Sequence, residues 1–114
     1  MKTINRAIAV IKPRQPYVDW INQLPDSLES VSLEDLQADC TAILIPEFDR
    51  EEESKAFISA IAERIFQEEL ESWCTSETLW PKRRTNRMFW RWFYVEVHSV
   101  VVDAGKGPIK KEAI

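Results

Sequence analysis

Residues 80–94 of this chain read Trp-Pro-Lys-Arg-Arg-Thr-Asn-Arg-Met-Phe-Trp-Arg-Trp-Phe-Tyr, and the way they pack decides how the fold is built. We call them the aromatic–arginine segment. They hold five basic and six aromatic side chains and no acidic one, whereas the whole chain has a formal net charge of −4. A cationic island in an acidic protein is explained either by internal packing or by a partner. The sequence leaves both explanations open.

Length and composition indicate one globular domain. The chain has 114 residues, of which 45% are hydrophobic and 30% charged, within the ordinary range for a folded protein. No apolar run approaches the roughly 20 residues that span a bilayer. We therefore expect no membrane partner, a cytoplasmic location, a single domain over residues 1–104 and a flexible tail over residues 105–114.

The hydrophobic pattern predicts an α/β (or α+β) fold with the element order β-α-(α)-β-α-(α)-β. Helical spacing is clearest in the apolar stripe from Phe57 to Trp73. Asp49 followed by Glu52 predicts the start of that helix, and Ser32 followed by Asp35 predicts a capping box. The predicted strands are residues 3–12, 40–46 and 94–103.

The order strand, helix, strand predicts a right-handed crossover and hence a three-stranded, mostly parallel sheet. The first two strands are apolar at consecutive positions, which is typical of strands that are covered on both faces or central in a sheet. The third strand comes last and is rich in valine. We therefore predict that it forms an open edge, at which a homodimer would extend the sheet across a two-fold axis.

The aromatic–arginine segment supplies the predicted binding residues, which are Trp80, Arg83, Arg84, Arg87, Trp90 and Arg91. A helix capped by Thr85 or Asn86 would place Arg84, Arg87 and Arg91 on one face. It would leave Trp90 the least buried tryptophan. Four interpretations stay open: a protein or self-interface, a small-anion pocket, a nucleic-acid surface, and a purely structural role. In the structural role, the aromatics form core and the arginines pair with the acidic stretches 29–39 and 47–53.

Two weaker candidates involve carboxylates. Glu96 and His98 alternate on one face of the third strand, the arrangement of a general acid–base pair. With arginines holding an anionic substrate, they would define a small enzyme. In a parallel sheet, polar residues that follow the strands would share one crevice. These residues are Arg14, Glu47, Asp49 and Asp103.

No cofactor or metal site is expected. The only glycines are Gly105 and Gly107, so no glycine-rich turn precedes a helix to hold phosphates. Cys40, Cys74 and His98 lack the spacing of metal ligands. The sequence favours a cytoplasmic, non-catalytic interaction protein that is homodimeric, with nucleic-acid binding and the small enzyme as alternatives.

Overall fold

The computed structural model describes residues 1–27 and 29–114. Within these residues there are five strands, four helices and a short 3-10 turn at Glu77–Leu79. In chain order the strands and helices are β1 (Lys2–Thr3), β2 (Ala7–Pro13), α1 (Gln15–Asn22), α2 (Leu33–Gln37), β3 (Thr41–Ile45), α3 (Glu51–Glu71), α4 (Asn86–Trp92), β4 (Phe93–His98) and β5 (Val102–Asp103).

The main sheet is antiparallel, so the predicted mostly parallel sheet is wrong and the fold is α+β. Its strand order is β3-β2-β4, and β2 runs antiparallel to both neighbours. Ala7 lies opposite Ile45 of β3, and Pro13 lies opposite Phe93 of β4. The central place of β2 was one of the two alternatives that its consecutive apolar residues predicted.

The two helices between β2 and β3 do not return the chain to the start of β2. Helix α1 rises about 12 Å over its eight residues and α2 has five residues, whereas the seven residues of β2 extend about 23 Å. β3 instead begins beside the end of β2, where Thr41 pairs with Ile11, and runs back along it.

Helix α3 supplies the long return. Its 21 residues rise about 31 Å and separate β3 from β4. These strands point the same way because both are antiparallel to β2, which lies between them. The predicted stripe is confirmed for Ile58, Ala62 and Phe66, each at most 2% exposed. Trp73 lies past the end of α3 and is 44% exposed.

The sheet has a buried inner face and a partly exposed outer face. Ala7, Ala9 and Ile11 are at most 1% exposed and belong to the core that includes α3. The alternate residues of the neighbouring strands remain accessible: Leu44 is 42% and Tyr94 is 50% exposed. Apolar residues on both faces of these strands therefore do not mean that both faces are buried.

The ends of the chain lie outside this sheet. Residues predicted as one third strand form β4 and the separate β5, which pairs with β1 in a two-stranded ribbon. Residues 105–114 are exposed and form neither helix nor strand. Over residues 1–27 and 29–114, every helix is too short or too polar to cross a membrane.

Candidate functional site

The phenylalanines of the aromatic–arginine segment belong to the core. Phe89 and Phe93 are 0% exposed, and their ring centroids lie 5.3 Å apart. Phe66 of α3 meets Phe93 edge-on, with ring centroids 5.5 Å apart and planes at 90°. Tilted and edge-on contacts are the favourable geometries for aromatic rings. This part of the segment therefore joins α3, α4 and the sheet.

A second aromatic group connects α1 to the same core. Tyr17 lies 5.0 Å from Phe93 and stacks on Trp20 at 5.8 Å. Trp92 contacts both Tyr17 and Trp20. The Tyr17 hydroxyl donates a hydrogen bond to the carbonyl oxygen of Glu69. Burial raises the pKa of Tyr17 above its ordinary value, so the hydroxyl stays protonated as a donor.

Trp80 is internal rather than displayed on the surface. Its side chain is 8% exposed, and its Nε1 donates to the carbonyl oxygen of Cys74 at 2.7 Å. The Arg84 guanidinium lies 5.7 Å from the Trp80 ring centroid and donates to the carbonyl oxygen of Pro81 at 2.9 Å. The Arg84 Nε is buried and has no hydrogen-bond partner in the described part of the chain. Both residues therefore fix the loop at residues 80–85.

Trp90 lies half-buried between α4 and α3, so the prediction that it is the least buried tryptophan is wrong. That residue is Trp73, which is 44% exposed. The Trp90 Nε1 donates to Ser59 Oγ at 3.2 Å, and the Lys55 ammonium lies 5.5 Å from its ring centroid. The physical reason is that the polar side of α3, not solvent, faces this edge of α4.

The remaining cations of the segment face solvent. Lys82, Arg83, Arg87 and Arg91 are exposed, and Arg87 and Arg91 lie one turn apart on the same side of α4. Over residues 1–27 and 29–114, no carboxylate lies within 4.0 Å of these four cations. The pairing with the acidic stretches 29–39 and 47–53 that the structural interpretation requires is therefore not seen.

Arg14 extends this exposed charge towards the sheet. Its guanidinium lies 5.5 Å from the ring centroid of Tyr94, a cation–π distance. Arg14, Arg91 and Tyr94 line one hollow of about 500 Å³. We call Arg14, Arg87 and Arg91 the arginine surface. Reasoning from sequence missed Arg14 as its third member because 77 residues separate it from Arg91.

A groove of about 600 Å³ runs beside the open edge of β4. Tyr94 and Glu96 border it from the outer face of the sheet. Lys55, Ile58 and Trp90 border it from the helices. Reasoning from sequence missed this groove, because α3 and β4, which form its two sides, are far apart along the chain.

Glu96 and His98 belong to an exposed polar cluster with Lys12. The Glu96 carboxylate lies 3.3 Å from Lys12 Nζ and 3.6 Å from His98 Nε2. The His98 side chain is 58% exposed. His98 lines neither hollow described above, whereas Glu96 lines the groove. The two residues are together, as their alternation predicted, on an open sheet face.

Lys12 controls the ionisation of Glu96. Its hydrogen bond and then its charge lower the pKa of the Glu96 carboxyl below the ordinary value. A lowered folded pKa adds stability above the unfolded pKa, and this stability is lost as pH falls through the folded pKa.

We expect Lys12→Met to raise the Glu96 pKa, measured by a carbon-13 NMR titration of the carboxyl. Lys2→Met is the control, and an unchanged Glu96 pKa in Lys12→Met would contradict the contact.

The predicted crevice of Arg14, Glu47, Asp49 and Asp103 does not follow from the antiparallel sheet. Arg14 lies at the end of β2 where β3 and β4 begin, whereas Glu47 and Asp49 follow the other end of β3. Asp103 pairs with Lys2 in the ribbon. In the described residues, no three His, Cys, Asp or Glu side chains are grouped to hold a metal ion.

Compared with protein-family models, curated proteins and solved structures, the chain matches none of them. Its function is therefore inferred from its own residues.

Proposed function

We propose that this chain is a non-catalytic, cytoplasmic binding protein that holds an acidic protein partner on its arginine surface and forms a homodimer. One observation carries the proposal. Arg87 and Arg91 stand exposed on α4, and no carboxylate of residues 1–27 or 29–114 lies within 4.0 Å of them. The chain has 19 acidic and 15 basic residues, so unpaired arginines in such a protein are best explained by an external acidic group.

The chemistry of arginine suits a carboxylate. Its planar guanidinium donates two parallel hydrogen bonds to one carboxylate, which lysine does not do. Arg14 and Arg91 line the same hollow beside the exposed ring of Tyr94. An acidic side chain entering this hollow would meet two guanidinium groups and an aromatic surface. Tyrosine and arginine are also enriched at protein interfaces.

The negative net charge does not prevent this binding at ordinary salt. The Debye length is about 10 Å at 0.1 M ionic strength, so distant carboxylates are largely screened. The local arginines then dominate the interaction at the surface. At very low salt, repulsion between the acidic partner and the distant carboxylates of this chain becomes long-range. We therefore expect the partner to bind less tightly there than it would if only the arginines acted on it.

The test is binding of fluorescent poly-L-glutamate, the simplest acidic polypeptide, measured by anisotropy. We expect Arg87→Ala/Arg91→Ala to weaken binding roughly tenfold, because two unpaired cations are removed. The matched control is Arg50→Ala/Arg64→Ala. It removes the same charge, but these arginines already pair with Glu53 and Glu68 at 3.5 and 2.9 Å. Equal losses in both double variants would contradict a specific arginine surface.

Nucleic-acid binding is the second candidate. The observation that favours it is the combination of exposed arginines with Tyr94, whose ring is 50% exposed and can stack on a base. A single-stranded oligonucleotide in the same assay separates the candidates. Tighter binding of the oligonucleotide than of poly-L-glutamate, with affinity that falls steeply with salt, would replace the acidic-protein proposal by this one.

A further inference from the structure

The edge of β4 carries unpaired backbone groups. The Arg14 amide donates to the carbonyl oxygen of Trp92 at 2.8 Å. Because bonding alternates along an antiparallel pair, even-numbered residues of β4 bond to β2, and the backbone groups of Val95 and Val97 face outward. In the described part of the chain, no backbone group is bonded to these outward groups.

This edge has little of the usual protection. Natural sheet edges are blunted by charged side chains, above all lysine, by proline or by a bulge. Strand β4 reads Phe-Tyr-Val-Glu-Val-His: it contains neither lysine nor proline, and Glu96 is its one carboxylate. The groove of about 600 Å³ beside it is open between Tyr94 and Glu96 on one side and α3 on the other. A paired strand lies about 4.8 Å from its neighbour. The groove occupies the space along β4 in which such a strand would lie.

We propose that a second copy of this chain pairs its β4 antiparallel to this edge across a two-fold axis. The two sheets would then form one six-stranded antiparallel sheet. This inference rests on the homodimer in the proposed function and adds the surface and the register. The two-fold axis makes the interface isologous, so each contact occurs twice.

Charge selects the register. The outward-facing backbone groups of one β4 must hydrogen-bond to those of the other β4. Odd-numbered residues of one copy therefore lie opposite odd-numbered residues of the other. Centring the axis on Glu96 would oppose two glutamates, and like charges directly opposite are destabilising. Centring it on Val95 would place Glu96 opposite Tyr94, so that neither glutamate faces a histidine. Centring it on Val97 places Glu96 opposite His98 of the second copy, twice.

The same register places Tyr94 of one copy beside the chain that follows β4 in the other. Val100 of that copy lies two residues beyond the end of β4. These side chains are 50% and 71% exposed in the single chain. The pair Glu96–His98 falls at a non-hydrogen-bonded position, where opposite residues are closest. The placement of Glu96 opposite His98 therefore selects one register out of three.

The test is the dimer dissociation constant, measured by light scattering over a dilution series. We expect wild type to dimerise and His98→Glu to weaken the dimer about tenfold, because two like-charge pairs form. Glu96→Lys alone should also weaken it. An equimolar mixture of Glu96→Lys and His98→Glu should restore the dimer, since the lysine introduced in one copy then faces the glutamate introduced in the other. Contacts within one chain are not repaired by mixing.

Ala42→Glu is the matched control, because it adds a carboxylate on the outer face at the opposite edge, on β3. We expect it to leave the dimer intact. A wild type that is monomeric at every concentration overturns both this inference and the homodimer. A dimer that resists His98→Glu, or that Ala42→Glu disrupts, overturns only the β4 register. Poly-L-glutamate binding through Arg87 and Arg91 is measured separately, and its outcome does not depend on the dimer.

Discussion

Replacing Phe93 by alanine is expected to lower the free energy of unfolding by about 4 kcal/mol. The ring is 0% exposed and lies 5.0 Å from Tyr17, 5.3 Å from Phe89 and 5.5 Å from Phe66. Its loss leaves a cavity where α1, α3, α4 and the sheet meet. Few residues join so many elements, so this substitution should be among the most damaging in the chain.

The measurement for Phe93 is urea unfolding followed by circular dichroism. Tyr94→Ala is the matched control: it is the next residue, it is also aromatic, and it is 50% exposed. We expect it to cost less than about 1 kcal/mol. Similar costs for the two variants would contradict the division of the segment into buried and exposed aromatics.

Trp80→Ala is expected to cost about 3 kcal/mol of stability. The substitution removes a ring that is 8% exposed, the 2.7 Å hydrogen bond to the Cys74 carbonyl, and the surface under the Arg84 guanidinium. Trp80→Phe should cost less, about 1 to 1.5 kcal/mol, since much of the packing is kept and one hydrogen bond is lost.

The control for Trp80 is Trp73→Ala, which removes a tryptophan that is 44% exposed and should cost far less. The stability of both variants is measured by urea unfolding. Separate folded samples of both are assayed for poly-L-glutamate binding. A Trp80→Ala variant of unchanged stability that has lost binding would show Trp80 to be a partner anchor and would contradict its structural role.

Local signals in the sequence predicted several elements correctly. The capping box is present: Ser32 Oγ accepts from the Asp35 amide, and Asp35 accepts from the Ser32 amide, both at 3.1 Å. Thr85 caps α4 through the Met88 amide at 3.1 Å. These contacts span three residues, so neighbouring side chains determine them. Asp49 is an exception, because α3 begins at Glu51 with Arg50 at its N-cap and no side-chain cap.

Strand direction was not predictable in the same way. Whether β3 runs parallel or antiparallel to β2 depends on the point at which the chain emerges from α1 and α2. No local sequence pattern encodes that point. The open edge of β4 was predicted from its position at the end of the chain, and the strand order confirms it. The apolar outer face was misleading, because Leu44 is as hydrophobic as a core residue yet 42% exposed.

The candidate site shows the same limit. The arginines were found from composition, and helical spacing correctly put Arg87 and Arg91 on one side of α4. Arg84 departs from that face because it turns over the Trp80 ring. Arg14 joins the arginine surface through its contact with Tyr94, and Lys55 joins the groove through its contact with Trp90. Spacing along the chain does not reveal these tertiary contacts.

The arginine surface is tested most directly by residue-resolved chemical modification of arginine, with and without saturating poly-L-glutamate, read by mass spectrometry. We expect bound poly-L-glutamate to protect Arg14, Arg87 and Arg91 and to leave the reaction of Arg50 and Arg64 unchanged. Equal modification rates of Arg87 and Arg91 in the free and bound protein would contradict the proposed surface.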